Sequence, residues 1–444
     1  MHELRYRDSQ LFCEGVDIDR LAAAVGTPFY LYSAATLRRH FEQLRDVFAE
    51  LEPLVCFSAK ACANIHVLQT LVDVGAGVDV VSGGELYRAR AAGADPSTIV
   101  FAGVGKSEDE LQQAFDAGIG WLNVESEPEL DAASRIAAER GQSMGVAVRV
   151  NPNVYDKATH PKAATGGVDS KFGVDISRVH QLFERYGHDP HLRITGLHVH
   201  LGSPVFSAIP YVAAIEKLLT LVDELAERGH TIEMIDIGGG FAANYGDREE
   251  IDSWQSYADG IVPLLRPFVA AGGRIVIEPG RSIVANAGAL ITRVRYTKTG
   301  RDKRFVVLDA GINTLIRPTL YDAYHFIWPT RPAEGLVPDA ALSSDGLIGL
   351  DPYDVVGPIC ETGDYFARDR DLPAVEPGDL LCIFSAGAYG MTMASQYNSR
   401  PRPAEVLVDG ERATVVRRHE VYEDLVAHER DPQPVDLDTP ANDS

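Results

Sequence analysis

VCFSAKACANIHVLQTLVDVGAGVDVVSGGELYRARAAGADPSTIVFAG, residues 55–103, decides the fold. Three short apolar runs in it, VCFS (55–58), VDVV (78–81) and IVFAG (99–103), are separated by amphipathic stretches. The runs are β-branched and continuous rather than alternating, as expected for parallel strands buried on both faces. Working outward, the same texture returns in WLNVE (121–125), GVAVRV (145–150), ITGLHVHLG (194–202), EMIDIGGG (233–240) and RIVIEPG (274–280). Helix-start signals lie between them: Ser107–Glu110 and Ser126–Glu129 fit the S-x-x-E capping box, in which each side chain satisfies an orphan backbone N–H. About eight β-α units over roughly 230 residues is the size of a (β/α)8 TIM barrel. An α/β chain of this texture has a doubly wound open sheet as its competing arrangement.

After residue 281 the texture changes. ALITRVRYTKTG, RFVVLDAG, DLLCIFSAGAYG, AEVLVDG and RATVVRRHEVYEDL read as strands closed by Gly, Asp and Asn turns, hence a mostly β C-terminal domain, barrel-like or sandwich-like. FYLY (29–32) is strand-like and is expected to join it. The expected division is a barrel over 33–284, a β domain made of 1–32 and 285–430, and a polar, Pro/Asp-rich disordered tail over 431–444. No internal repeat is visible. With 444 residues the chain exceeds one ordinary core, and 45% hydrophobic with 24% charged residues suits folding in water.

The net charge of −23 argues against nucleic acid or an anionic membrane as a partner, since both need clustered Lys and Arg; a small anionic substrate depends on local arginines instead. The N-terminus MHELRYRDSQ is charged where a signal peptide is apolar, and no apolar run approaches the ~18 residues of a membrane span. Five dispersed cysteines (13, 56, 62, 360 and 382) without a CxxC pair suit reduced thiols in a cytoplasmic protein.

In a barrel the reactive groups sit at the carboxyl ends of the strands. Those ends carry Lys60, Asp79, His198, His200, Gly238–Gly240, Glu278 and Arg281. A lysine entering a barrel mouth is desolvated, which lowers its pKa and frees a neutral amine for imine formation, although a surface loop lysine reads the same in isolation. Glu278 can pair with a pyridinium N–H and keep such a ring an electron sink, or it can be a structural ion pair. Three glycines let backbone N–H groups approach a phosphate ahead of a helix or nest, and equally make a tight turn. GVGKS (103–107) imitates a P-loop, but Val100 stands where that motif needs its first glycine. His198 and His200 are two apart on a strand and face the same way. Zinc would need further ligands at the other strand ends, which carry Lys60, Asn151 and glycines, so no metal is expected and one imidazole is assigned to stacking on a ring.

FSAKAC (57–62), GAGVDVVSGGEL (75–86), HVHLGS (198–203), DIGGGF (236–241), EPGR (278–281), GPICETGD (357–364) and SAGAYG (385–390) together resemble the fold-type III pyridoxal phosphate decarboxylases, the alanine-racemase-like group. LIRPTLYDAYH (315–325) and ASQYNSRPRPAEVLVDG (394–410) are similar to the diaminopimelate branch. The resemblance implies decarboxylation of meso-2,6-diaminopimelate to L-lysine and CO2, with pyridoxal 5'-phosphate as cofactor and a homodimer sharing its active sites. It implies Lys60 as the Schiff-base lysine and His200 stacked on the cofactor ring. Glu278 would pair with the pyridine nitrogen, with Asp79 and Glu85 orienting Lys60 and His200. Ser203, Gly239, Gly240, Pro279, Gly280, Arg281 and Tyr389 would cradle the phosphate. Arg281, Arg317, Tyr321, Glu361 and Tyr389 would hold the distal end of the substrate, and Cys360 would be an acid supplied across the dimer. Two arginines suit a retained carboxylate, Glu361 a retained ammonium, and the departing carboxylate belongs in a poorly solvating pocket. One departure is Pro204-Val205 after HLGS, where many relatives carry Gln-Ile. Rival readings are decarboxylation of ornithine, lysine or a carrier-linked amino acid, and a non-catalytic cofactor-binding regulator.

Overall fold

Eight strands with nearly unbroken burial close on themselves: β1 Leu54–Ser58, β2 Gly77–Val80, β3 Ile99–Phe101, β4 Trp121–Val124, β5 Met144–Asn151, β6 Leu192–His198, β7 Met234–Asp236 and β8 Arg274–Ile277. The computed structural model describes residues 3–163, 165–167, 170–246, 251–339 and 342–434. Every neighbouring pair is parallel, and β8 pairs with β1 through Val276↔Leu54 and Ile277↔Val55. The closed barrel, not the open sheet, is the arrangement adopted. Strands this short and this apolar cannot leave an edge or a face in water, and closure removes both exposures.

Inside the barrel the period-two alternation of a strand sorts the side chains by height. Cys56, Val100, Trp121, Ala147, Met234 and Val276 form a separate apolar cluster. Two residues further along the same strands come Ser58, Asn123, Arg149, Asp236 and Glu278, all buried and polar. Burying ionised groups costs several kcal/mol each before pairing, whereas each core side chain contributes about 1.5–3 kcal/mol. The polar layer is thus a cost in stability that the apolar layer beneath it offsets, and its reason lies in chemistry.

The capping box at Ser107 forms in full, with Ser107 Oγ accepting from Glu110 N–H at 3.1 Å and Glu110 Oε2 accepting from Ser107 N–H at 2.9 Å. At Ser126 only half of it forms. Ser126 Oγ accepts from Glu129 N–H, but the Glu129 carboxylate turns to Glu125 N–H and to Lys106 Nζ at 2.7 Å. Lys106, the lysine of the P-loop imitation, is buried and also donates to the Gly103 and Asn123 carbonyls, a structural pin and not a phosphate ligand.

The second sheet is built on β9 Gly288–Thr299, which pairs antiparallel with the N-terminal strand Phe29–Ser33, so FYLY does join it. Phe29–Ser33 also pairs in parallel with Ala404–Asp409. Leu4–Arg7, Gln10–Cys13 and Val16–Asp17 make a small sheet of their own. The tail expected over 431–444 lies, from residue 435 onward, outside the described residues. No helix among the described residues is long and apolar enough to cross a membrane.

Candidate active site

A cavity of about 750 Å3 opens at the carboxyl ends of the barrel strands, lined by Lys60, His198, His200, Ser203, Glu278, Arg281, Arg317, Tyr321 and Tyr389, among others. The chain is acidic as a whole, but this cavity gathers Arg149, Lys157, Lys162 and Lys171 besides Lys60 and the two further arginines. A locally positive, partly enclosed site concentrates small polyanions regardless of net charge.

Lys60 sits in a single 3-10 turn, Ala59–Ala61, directly after β1. Its Nζ donates to Asp79 Oδ2 at 2.7 Å, and the same oxygen accepts from Ser58 Oγ at 2.6 Å. Burial pulls the Lys60 pKa down, yet Asp79 and Glu278 outweigh it and hold the ammonium above the ordinary lysine range. The expectation that desolvation alone frees a neutral amine is therefore corrected. A buried carboxylate in contact stabilises the cation by more than lost hydration destabilises it.

Glu278 follows β8. His198 Nε2 lies 3.5 Å from its Oε2, and His200 Nδ1 lies 4.0 Å away. Burial pushes Glu278 up, but His198, Lys60 and His200 outweigh it and keep the carboxyl below its usual range. Asp236 has the opposite fate: burial, then the neighbouring Glu278, push it well above the carboxylate range. Two adjacent carboxyls thus divide the work, one charged and one neutral, because they cannot both ionise at close range. Asn123 Nδ2 joins them at 3.2 Å from Asp236 Oδ2 and 3.4 Å from Glu278 Oε1. His198, Asp236 and Glu278 each place a ligand-type atom within 4.8 Å of the others, a grouping the spacing of HxH did not reveal.

His200 is held neutral by burial, with the charge of Lys60 adding to the effect. Its Nδ1 accepts from Gly239 N–H at 3.2 Å, which leaves the ring hydrogen on Nε2. Gly239 is obligatory for a steric reason: a Cβ there would sit 1.9 Å from the Glu278 carbonyl oxygen. Gly240 has φ +103°. The helix after this turn does not follow at once but begins at Trp254. Pro204-Val205 keeps the neighbouring Ser203 at the cavity wall, since Val205 N–H donates to Gly240 O at 2.8 Å. Ser203 Oγ accepts from Arg281 Nε at 3.1 Å. Tyr389 occupies the left-handed region at φ 56°, donates its N–H to Ala61 O at 2.8 Å and lies under the Arg281 guanidinium at 4.9 Å. Strained backbone of this kind is kept only where the surroundings over-determine it.

Glu85, at the first turn of helix Gly83–Ala91, accepts from Val81 N–H at 2.9 Å and is pushed up to about 7, chiefly by burial. An acid whose folded pKa is raised stabilises the fold fully below its unfolded value, and that contribution is lost as pH rises through the folded value. The wild type should therefore lose Tm between about pH 5 and about pH 8 through this group, and Glu85→Gln should flatten that slope. An unchanged slope would show that Glu85 is not the group responsible.

Cys360 and Glu361 stand apart from the other expected site residues. Both are exposed, Cys360 N–H donates to Asn398 Oδ1 at 2.9 Å, and neither lines the cavity. Asp79, Glu85, Gly239, Gly240, Pro279 and Gly280 are not among the cavity's lining residues either. Tyr245 carries no signal in the sequence; Asn123, Asp236 and His325 stand inside WLNVE, DIGGGF and LIRPTLYDAYH but carry no signal of their own.

The donor set fits pyridoxal phosphate on geometric grounds, with an amine, a buried anion and polar donors around one cavity. Comparisons agree. A profile of the family described as "Pyridoxal-dependent decarboxylase, pyridoxal binding domain" matches residues 34–285. A diaminopimelate decarboxylase of Aquifex aeolicus is 44% identical over 95% of this chain and 96% of its own length. One from Pseudomonas aeruginosa is 44% identical over 97% and 99%. The crystal structure of diaminopimelate decarboxylase from Helicobacter pylori complexed with L-lysine superposes with a TM-score of 0.86 at 38% identity, covering 93% of this chain and 99% of that one.

Proposed function

The chain belongs to the pyridoxal-dependent decarboxylase family, in its diaminopimelate decarboxylase branch, and from that premise we propose how its residues share the work. The reaction is loss of CO2 from meso-2,6-diaminopimelate, giving L-lysine, the last step of lysine biosynthesis. Bound pyridoxal phosphate supplies an electron sink for the pair left by the broken carbon–carbon bond. The observation that carries the assignment is Lys60 and Glu278 just beyond the neighbouring strands β1 and β8, on either side of the seam that closes the barrel, facing a cavity that also holds Arg281 and Arg317.

Lys60 would hold the cofactor through its Nζ, and Asp79, in contact with that Nζ, is placed to accept the proton the ammonium must shed. Glu278, kept anionic, would accept from the cofactor's ring N–H. His200, an uncharged imidazole at the cavity wall, would stack on that ring without adding a competing positive charge. Ser203, Gly239, Gly240, the Pro279–Gly280 backbone, Arg281 and Tyr389 hold the phosphate, and Asp79 and Glu85 orient the lysine and the imidazole. Arg281, Arg317, Tyr321 and Tyr389 would take the retained amino-acid end; Glu361, which like Cys360 stands outside its own chain's cavity, would join them across the dimer.

Cys360 delivers the proton to the carbon that loses CO2, from the partner subunit of a homodimer. Its exposure and its absence from the lining of its own chain's cavity support that reading. Residues 33–284 form the cofactor barrel, and 1–32 with 285–430 complete the partner's site. Five free cysteines support a cytoplasmic setting. Cys360→Ala is expected to slow turnover by a factor of about 10² to 10⁴. Mixing Cys360→Ala with Lys60→Ala chains should restore about a quarter of wild-type activity, because half the dimers are mixed and each then holds one intact site. No recovery on mixing would place Cys360 in its own chain's chemistry or outside it. The function itself is tested by supplying cofactor and meso-diaminopimelate and following CO2 and L-lysine, with ornithine and lysine as control substrates. Equal turnover of the controls would refute the specificity.

A further inference from the structure

Arg317 is only 5% exposed, yet it lines the cavity, so something other than solvent must orient it. His325, fully buried, meets it on one side: Arg317 NH1 lies 3.2 Å from His325 Nε2. The other ring nitrogen, Nδ1, lies 2.9 Å from Phe384 O. A carbonyl only accepts, so Nδ1 carries the hydrogen and Nε2 is left as a lone pair for the guanidinium. Burial, reinforced by the charge of Arg317, pushes the His325 pKa down to about 3, and the ring stays neutral. The backbone is pinned too, since Arg370 NH1 donates to His325 O at 2.8 Å. Tyr245 completes the grip. Its ring stands edge-on to His325 at 5.6 Å and lies under the Arg317 guanidinium at 4.8 Å, while its hydroxyl accepts from Arg281 NH1 at 3.1 Å.

An acidic partner at this place would orient Arg317 but would also cancel its charge. A neutral imidazole takes one N–H and leaves the charge for a ligand. We propose that His325 is the positioning residue that aims the Arg317 guanidinium at the retained carboxylate of the substrate, making it a determinant of selectivity for a diamino diacid. This rests on the role given to Arg317 above.

The test uses two substitutions in the holoenzyme that split the ring's two contacts. His325→Asn keeps a donor where Nδ1 was and offers no acceptor to Arg317. His325→Gln keeps an acceptor where Nε2 was and loses the donation to Phe384 O. The Asn variant should raise KM for meso-diaminopimelate and weaken calorimetric L-lysine binding by about tenfold each, the scale of one charge-assisted hydrogen bond, with kcat and the cofactor's visible band retained. The Gln variant should keep both constants within about threefold. Wild-type constants in the Asn variant, or an equal loss in both variants, would overturn the assignment, the latter because it would make the Phe384 tether the cause. If the Asn variant does not take up cofactor, the Gln variant decides alone: near-wild-type binding supports the role, a tenfold loss refutes it. Arg317→Ala in the same assays separates the two readings. Unchanged L-lysine affinity there would sink the role of Arg317 itself, while a loss there without one in His325→Asn would sink only that of His325.

Discussion

Lys60→Ala is expected to lose the visible absorption of the bound cofactor and to drop kcat by a factor on the order of 10³ or more. Two effects combine in that loss. The amine that holds the cofactor disappears, and so does the group whose proton Asp79 receives. The variant should still fold, because Asp79, left without its cation and already pushed up by burial and by Glu278, takes up a proton instead of remaining an unpaired buried charge. Its thermal stability should then fall more steeply toward high pH than that of the wild type, since deprotonating Asp79 is now uncompensated. Absorption and turnover measured on the same sample decide the matter. A variant that keeps its visible band would remove Lys60 from its assigned role.

Arg317→Ala is the second large effect, and it should appear in KM. A carboxylate held by a planar pair of N–H donors loses charge-assisted hydrogen bonds of about 1.5–3 kcal/mol each, so KM for meso-diaminopimelate should rise on the order of 10²-fold. The cofactor band should persist, because Arg317 reaches neither Lys60 nor Glu278 through any direct contact, its neighbours being His325 and Tyr245. Arg317→Lys should recover only part of the loss, since an ammonium cannot reproduce the fork or lie over Tyr245 in the same way. The ratio of turnover between meso-diaminopimelate and a substrate without the second carboxylate is the readout. If that ratio does not change, the distal carboxylate is bound elsewhere.

Much of this site is legible in the sequence. Lys60, His200, Ser203, Glu278, Arg281, Arg317, Tyr321 and Tyr389 were named from motifs and all face one cavity. Lys60, His200, Glu278 and Arg281 could be read because each follows a buried strand, a signal that survives in a linear chain; Ser203, Arg317, Tyr321 and Tyr389 came only from the resemblance to the decarboxylases. Tyr245 had no such signal. It stands in a loop after the glycines, and its value comes from two arginines 36 and more residues further on. Asp236 was quoted inside DIGGGF, yet nothing linear marks it as the neutral member of a carboxyl pair. Burial inside the closed barrel and the neighbouring Glu278 are what make it so.

The sequence by itself determined the succession of eight buried parallel strands, the β character of the C-terminal half and the chemical inventory at the strand ends, because strand burial and turn chemistry are set by neighbours along the chain, whereas closure into a barrel was decided by the pairing of β8 with β1. Only the tertiary structure decided the protonation states. Lys60 was read as a neutral amine on desolvation alone, and it is instead held as a cation by Asp79, whose distance in space the sequence does not state. The same holds for His325, whose tautomer is set by Phe384 O and whose lone pair is spent on Arg317. Charge and hydrogen placement follow distances of a few ångströms between groups far apart in sequence, and those distances exist only once the barrel has closed.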